Sequence, residues 1–201
     1  MIYSELADLN RGSDIQRDAY LALIELDVMS VLAEHDPMLA GELPLGIAVE
    51  GKELDIICGV ADLGEFVLQV EANYGDQDEF EVQRVDRHGV PSVECRFRFR
   101  SFAVEIVGQE KPVEEQNAYR QMIAEAALLR AGGQDALDAI QGLRSEGTAT
   151  LPAFGEYFCL EGEPAEALVA LADADADAVE EVVLRARYIR RGHMPVEPSP
   201  A

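Results

Sequence analysis

Gly41-Glu42-Leu43-Pro44-Leu45-Gly46, then Glu53-Leu54-Asp55-Ile56-Ile57-Cys58, and much later Phe102-Ala103-Val104-Glu105-Ile106-Val107 are the stretches on which the reading of this chain turns. In an extended strand residues i and i+2 point to the same face, so Glu53 and Asp55 stand side by side, about 6–7 Å apart along the chain. That is near enough for the two carboxylates to share one or two hard cations. Glu105 sits inside an otherwise apolar strand. A carboxylate buried there needs a cation, an arginine or a metal beside it, or it takes up a proton. Three acids on neighbouring strands satisfy a two-metal phosphoryl-transfer site with ions roughly 3.5–4 Å apart.

Outward from these stretches, hydrophobic periodicity supplies the remaining elements. Ser13 followed by Gln16 predicts a capping box, and Ile15, Ala19, Leu23 and Leu26 predict a helix over 14–34. After His35-Asp36-Pro37 the alternation at 43–49 predicts a strand, joined through a Glu50-Gly51-Lys52 turn to a second strand at 54–58. A short amphipathic helix follows at 61–72. Strands are then expected at 80–85, 90–100 and 102–107, with Asp86-Arg87-His88-Gly89 as the first turn and Ser101 at the second reversal.

Beyond Lys111-Pro112 the pattern turns helical, at 113–131, 134–145, 152–158, 164–171 and 178–190, with Asp177 and Glu180 at capping-box spacing. Asp173, Asp175 and Asp177 have the spacing of a calcium loop, but Ala178 replaces its glycine and Leu184 its glutamate. The expected division is an α/β core over 1–110, a helical extension packed on it over 111–192, and a disordered tail over 193–201.

The chain is 201 residues long, with 48% hydrophobic and 27% charged residues, enough to bury a core without staples. Its 39 acidic residues against 16 basic ones leave a net charge of -23. A field of that sign repels polyanions, which excludes duplex nucleic acid and an anionic membrane as large-surface partners. Cys58, Cys95 and Cys159 lack the paired spacing of a zinc site or a disulfide framework and read as buried thiols. With no stretch of about 18 apolar residues and no basic-then-apolar start, the expected location is cytoplasmic.

On these residues the chain resembles the nucleotidyltransferase superfamily typified by DNA polymerase beta, and within it a bacterial domain-of-unknown-function family. The matching pieces are Gly41 to Gly46, Glu53 to Cys58, Val104-Glu105-Ile106-Val107-Gly108-Gln109, Gln116-Asn117-Ala118-Tyr119-Arg120 and Pro152-Ala153-Phe154. The resemblance implies an α+β, nucleotidyltransferase-like mixed sheet with flanking helices and a helical C-terminal extension. It implies Glu53, Asp55 and Glu105 as catalytic, magnesium-binding acids, and Gly41 as the point where backbone approaches a nucleoside triphosphate. It also implies Asn117, Tyr119 and Arg120 as substrate contacts, and because the acidic field disfavours long nucleic acids the expected acceptor is a small molecule or a protein. Two residues depart from the superfamily pattern. Glu42 stands where a small hydroxyl residue is usual, and Glu53 where an aspartate is usual. They define an alternative: a catalytically degenerate nucleotide- or partner-binding protein of the same fold.

Arg96, Arg98 and Arg100 alternate with Cys95, Phe97 and Phe99, which puts the arginines on one face. Such a stripe either captures phosphate or carboxylate, with Arg96 and Arg98 as the candidate cofactor contacts, or is a solvated face that balances local acids.

Overall fold

Helix α1 (Leu6–Leu9) leads into the expected capping box, which opens helix α2 (Asp14–Leu26). The Gln16 amide N–H donates to Ser13 Oγ, while the Gln16 side chain accepts from the Ser13 N–H at 2.9 Å. The predicted helix over 14–34 is broken at Asp27, whose φ of 51° is left-handed. A short polar side chain tolerates that conformation. The chain continues as one turn, α3 (Val28–Val31), and a 3-10 turn at Ala33–His35.

The computed structural model describes residues 6–49 and 53–192, so the expected turn at 50–52 and the expected tail from His193 lie outside the described residues. Strand β1 is Met38–Ala40, and the segment predicted as a strand over 43–49 instead contains a single helical turn, α4 (Glu42–Leu45). Leu43, Pro44 and Leu45 are all buried, so the alternation carried no information about faces. Gly41 and Gly46, at φ 74° and 72°, turn the chain on either side. Pro44 is tolerated in a first helical turn, where its missing N–H costs nothing.

Strand β2 (Glu53–Gly59) is followed by helix α5 (Leu63–Tyr74), capped by Asp62, then by β3 (Asp78–Arg87), β4 (Val90–Phe99) and β5 (Phe102–Gln109). The sheet order is β1-β2-β5-β4-β3, with β2 and β5 parallel and the other pairs antiparallel. Leu54, Ile56 and Cys58 of β2, Val104 and Ile106 of β5, and Val93, Cys95 and Phe97 of β4 form one face of this sheet. They share a buried core with Leu23 and Leu26 of α2 and Phe66 and Val70 of α5. Gly108 lets Phe66 approach the strand, since a Cβ there would lie 2.6 Å from the ring. The opposite face carries the polar residues of β2, β5 and β4.

The predicted helix over 113–131 begins as a 3-10 turn at Val113–Glu115 and restarts as α6 (Asn117–Gly132). Between them Gln116 is extended and buried, its side chain donating to Cys58 O at 2.9 Å and Lys111 O at 3.0 Å. The chain forms two compact units that meet in sequence between Met122 and Ile123. In the second unit α7 (Gln134–Ser145), α9 (Pro164–Leu171) and α10 (Ala176–Arg190) all contact α8 (Thr150–Phe158), whose Phe154 and Phe158 are fully buried. The cap of α10 is Asp175, which accepts from the Ala178 N–H at 2.9 Å, rather than the expected Asp177. Among the described residues no helix is long and apolar enough to cross a membrane.

Candidate functional site

Asp55 and Glu105 are Cα partners on the parallel pair β2 and β5, and Glu53 lies two residues before Asp55 on the same face. The alternation that buries Leu54 and Ile56 therefore turns both β2 acids to the open side of the sheet. Across the next strand pair Arg96 is the register partner of Glu105. These residues, with Glu79, Glu81 and Arg98, line a cleft of about 610 Å³. Gly41 closes in on the same place: a Cβ on it would overlap the Asp55 carboxylate. Gln16 helps to fix that segment, since its side chain donates to Leu43 O at 2.7 Å from a buried position.

Glu105 is held by two arginines. Arg96 Nε and Nη2 donate to its Oε1 at 2.8 and 2.6 Å, and Arg87 Nη2 donates to its Oε2 at 2.9 Å. The same arginines reach Glu94, Arg87 Nε at 2.6 Å and Arg96 Nη2 at 3.0 Å. The result is a closed ring of alternating charge, Arg87–Glu105–Arg96–Glu94. Burial raises the Glu94 pKa, but hydrogen bonds and charge from Arg87, then Gln83 and Arg96, outweigh it and hold the carboxyl below its ordinary value. Asp55 takes no part in the ring. Burial pushes its pKa up to about 7, helped by the negative charges of Glu53, Glu105 and Glu42 and opposed by Arg87.

A hard divalent cation fits part of this arrangement. Asp55 and Glu53 supply oxygen donors, and the raised proton affinity of Asp55, due first to burial and then to the charges of Glu53, Glu105 and Glu42, is what a bound cation would offset. Glu105 has the right register, but its oxygens are engaged. Among the described residues no group of three or more His, Cys, Asp or Glu is assembled to hold a metal ion.

Arg98 pairs with Glu79 at 3.2 Å, and Arg100, at φ 54°, leaves the stripe at the β4–β5 reversal to pair with Glu25 of α2. The arginine face thus balances local acids while keeping Arg96 and Arg98 in the cleft. Asn117 lines a separate cleft of about 210 Å³ with Arg87, His88, Lys111 and Gln116. Among the described residues, Tyr119 and Arg120 line neither cleft; both are partly buried on α6. Sequence reasoning missed Arg87 and Glu94. Glu94 was within reach, two residues before Arg96 on the same strand face, whereas Arg87 looked like part of a turn. Of the three cysteines, Cys58 and Cys95 are buried as expected and Cys159 is partly exposed.

The model of the domain of unknown function DUF4269 matches residues 21–171, three-quarters of the chain. The chain belongs to the DUF4269 family. No curated protein matches it. Among solved structures it is similar to the Cid1 poly(U) polymerase bound to MgGTP, at 14% identity and a TM-score of 0.54, covering 77% of this chain and 54% of that one. It is also similar to the GLD-2/RNP-8 complex, at 10% identity and a TM-score of 0.52, covering 91% and 82%. The chain therefore spans about half the length of Cid1. At this identity the likeness establishes the fold: an α+β, nucleotidyltransferase-like mixed sheet with flanking helices.

Proposed function

We propose that this DUF4269 chain is a magnesium-dependent nucleotidyltransferase acting on a small-molecule or protein acceptor. The observation that carries the reading is the register of Asp55 with Glu105 on parallel strands, with Glu53 on the same face and Gly41 against Asp55. Asp55 and Glu53 would hold the cation, and Glu105 would join them. When bound, magnesium supplies neutralisation of the phosphate charge and of the departing pyrophosphate. Gly41 lets the backbone close on the Asp55 carboxylate, and Arg96 and Arg98 offer forked donors to phosphate oxygens; Asn117, in the neighbouring cleft, and Tyr119 and Arg120, in neither cleft, are not among the proposed contacts.

The acceptor oxygen would form a bond to the α-phosphorus as the α–β phosphoanhydride breaks and pyrophosphate leaves, with the hydroxyl proton released to solvent. The fold relative Cid1 is a poly(U) polymerase. A net charge of -23 argues against a long polyanion as acceptor here, and for a small molecule or a protein.

The test is calorimetric titration of the four common nucleoside triphosphates, with and without magnesium, into wild type and Asp55→Ala. Magnesium-dependent binding that disappears in the variant is the expected result; binding indifferent to Asp55 would refute the site. The ring around Glu105 and the charge of Glu42 favour a second reading, a degenerate nucleotide-binding protein. Pyrophosphate release that is lost in Glu105→Gln would eliminate it.

A further inference from the structure

The two oxygens of Glu105 are not held in the same way. Among the described residues Oε1 is bound by Arg96, whose side chain is 50% exposed and lines the cleft beside Asp55. Oε2 is bound by Arg87, whose side chain is 32% exposed and does not line that cleft; both arginines also reach the more deeply buried Glu94, Arg87 at 2.6 Å and Arg96 at 3.0 Å. Resting on the nucleotidyltransferase reading, we propose that Arg96 is a latch and Arg87 an anchor. Arg96 withholds Oε1 from the cation site until a phosphate chain draws its guanidinium away, while Arg87 keeps the carboxylate in place.

The chemistry favours this exchange because a guanidinium fork accepts phosphate and carboxylate oxygens with the same bidentate geometry. Moving Arg96 from Glu105 to a phosphate conserves its charge pairing. It also uncovers one carboxylate oxygen on the face that already presents Asp55 and Glu53. Completion of the acidic triad is then coupled to arrival of the nucleotide, and the cation is not taken up at full strength by the empty cleft.

The probe is Mn2+ alone, followed by electron paramagnetic resonance, on the full chain. Arg96→Gln should bind Mn2+ more tightly than wild type by roughly tenfold, the lower end of what changes around metal ligands produce. Arg96→Lys, which keeps the charge but loses the fork, should give a smaller gain in the same direction, and it carries the test if the glutamine variant folds poorly. In Arg96→Gln/Glu105→Gln the gain should vanish. An equal gain with and without Glu105 would reduce the effect to a removed charge and overturn the latch, as would no gain at all.

Asp55→Ala should abolish Mn2+ binding in every background. Binding that survives it, or no binding in any variant, would defeat the nucleotidyltransferase reading itself and the latch with it. A second arm uses a non-hydrolysable nucleoside triphosphate without metal, with arginine Nε resonances as the readout. The Arg96 signal should move and the Arg87 signal stay; a static Arg96 would overturn opening by phosphate.

Discussion

Gly41 and Asp55 occupy adjoining space: any Cβ on Gly41 would overlap the Asp55 carboxylate, and the backbone there has φ 74° and ψ -148°. That combination is one that glycine alone adopts readily. Gly41→Ala should therefore act twice. Backbone strain should cost about 1–3 kcal/mol of stability, visible as a lowered thermal midpoint. Displacement of Asp55 should also weaken Mn2+ binding. A variant that loses stability but binds the ion as wild type does would separate the two effects and count against Gly41 as part of the site.

Asp55 should make the metal-free protein less stable as pH rises. Its folded pKa, about 7, lies above the ordinary 3.8, so between those values the native state holds a proton that the unfolded chain has lost. Its contribution to stability therefore falls across that window and reaches its least favourable value above pH 7. Asp55→Asn should stabilise the metal-free protein at pH 8 by on the order of 4 kcal/mol, a tenfold change in proton affinity being worth about 1.4 kcal/mol. The difference should disappear near pH 4. Denaturant unfolding at both pH values measures it.

Glu94 should show the opposite dependence. Its carboxyl is held below its ordinary value, so its contribution is present above the unfolded value and lost as pH falls through the folded one. At neutral pH Glu94→Gln should cost about 1–3 kcal/mol, because Arg87 and Arg96 each lose a charged partner in a partly buried ring. Acid-induced unfolding of the variant should be correspondingly shallower. An unchanged acid limb would mean that the ring adds nothing to stability.

Thiol reactivity should distinguish the three cysteines. Burial pushes the Cys58 and Cys95 thiols up to about 12, with the charge of Glu71 adding to the shift of Cys95, so neither supplies thiolate at pH 8. Cys159 is partly exposed at the end of α8. Titration with a chromogenic disulfide should count one fast thiol in the native protein and three after denaturation. Rapid reaction of Cys58 would show that the β2 end of the sheet opens locally.

What the sequence determined by itself is what local periodicity can encode. The Ser13–Gln16 capping box, the amphipathic helices α2 and α5, and the alternation of β2, β4 and β5 follow from residues within a few positions of one another. The same alternation put Glu53 and Asp55 on one face without any tertiary contact. Pairing across the sheet is different, because register depends on the whole strand order and a slip of one residue reverses every face. Only the order β2-β5-β4-β3 sets Asp55 against Glu105, Glu105 against Arg96, and the end of β3 close enough for Arg87 to reach both Glu94 and Glu105. The tertiary fold also overrode the alternation at 43–49: with Leu43, Pro44 and Leu45 all buried, the glycines at 41 and 46, rather than hydrophobicity, decided the backbone. Candidate acids were thus legible from spacing. Which of them is engaged, and by what, was decided by Arg96 and Arg87, 9 and 18 positions from Glu105, and by the pairing of Asp55 with Glu105, 50 positions apart, all brought together by the sheet.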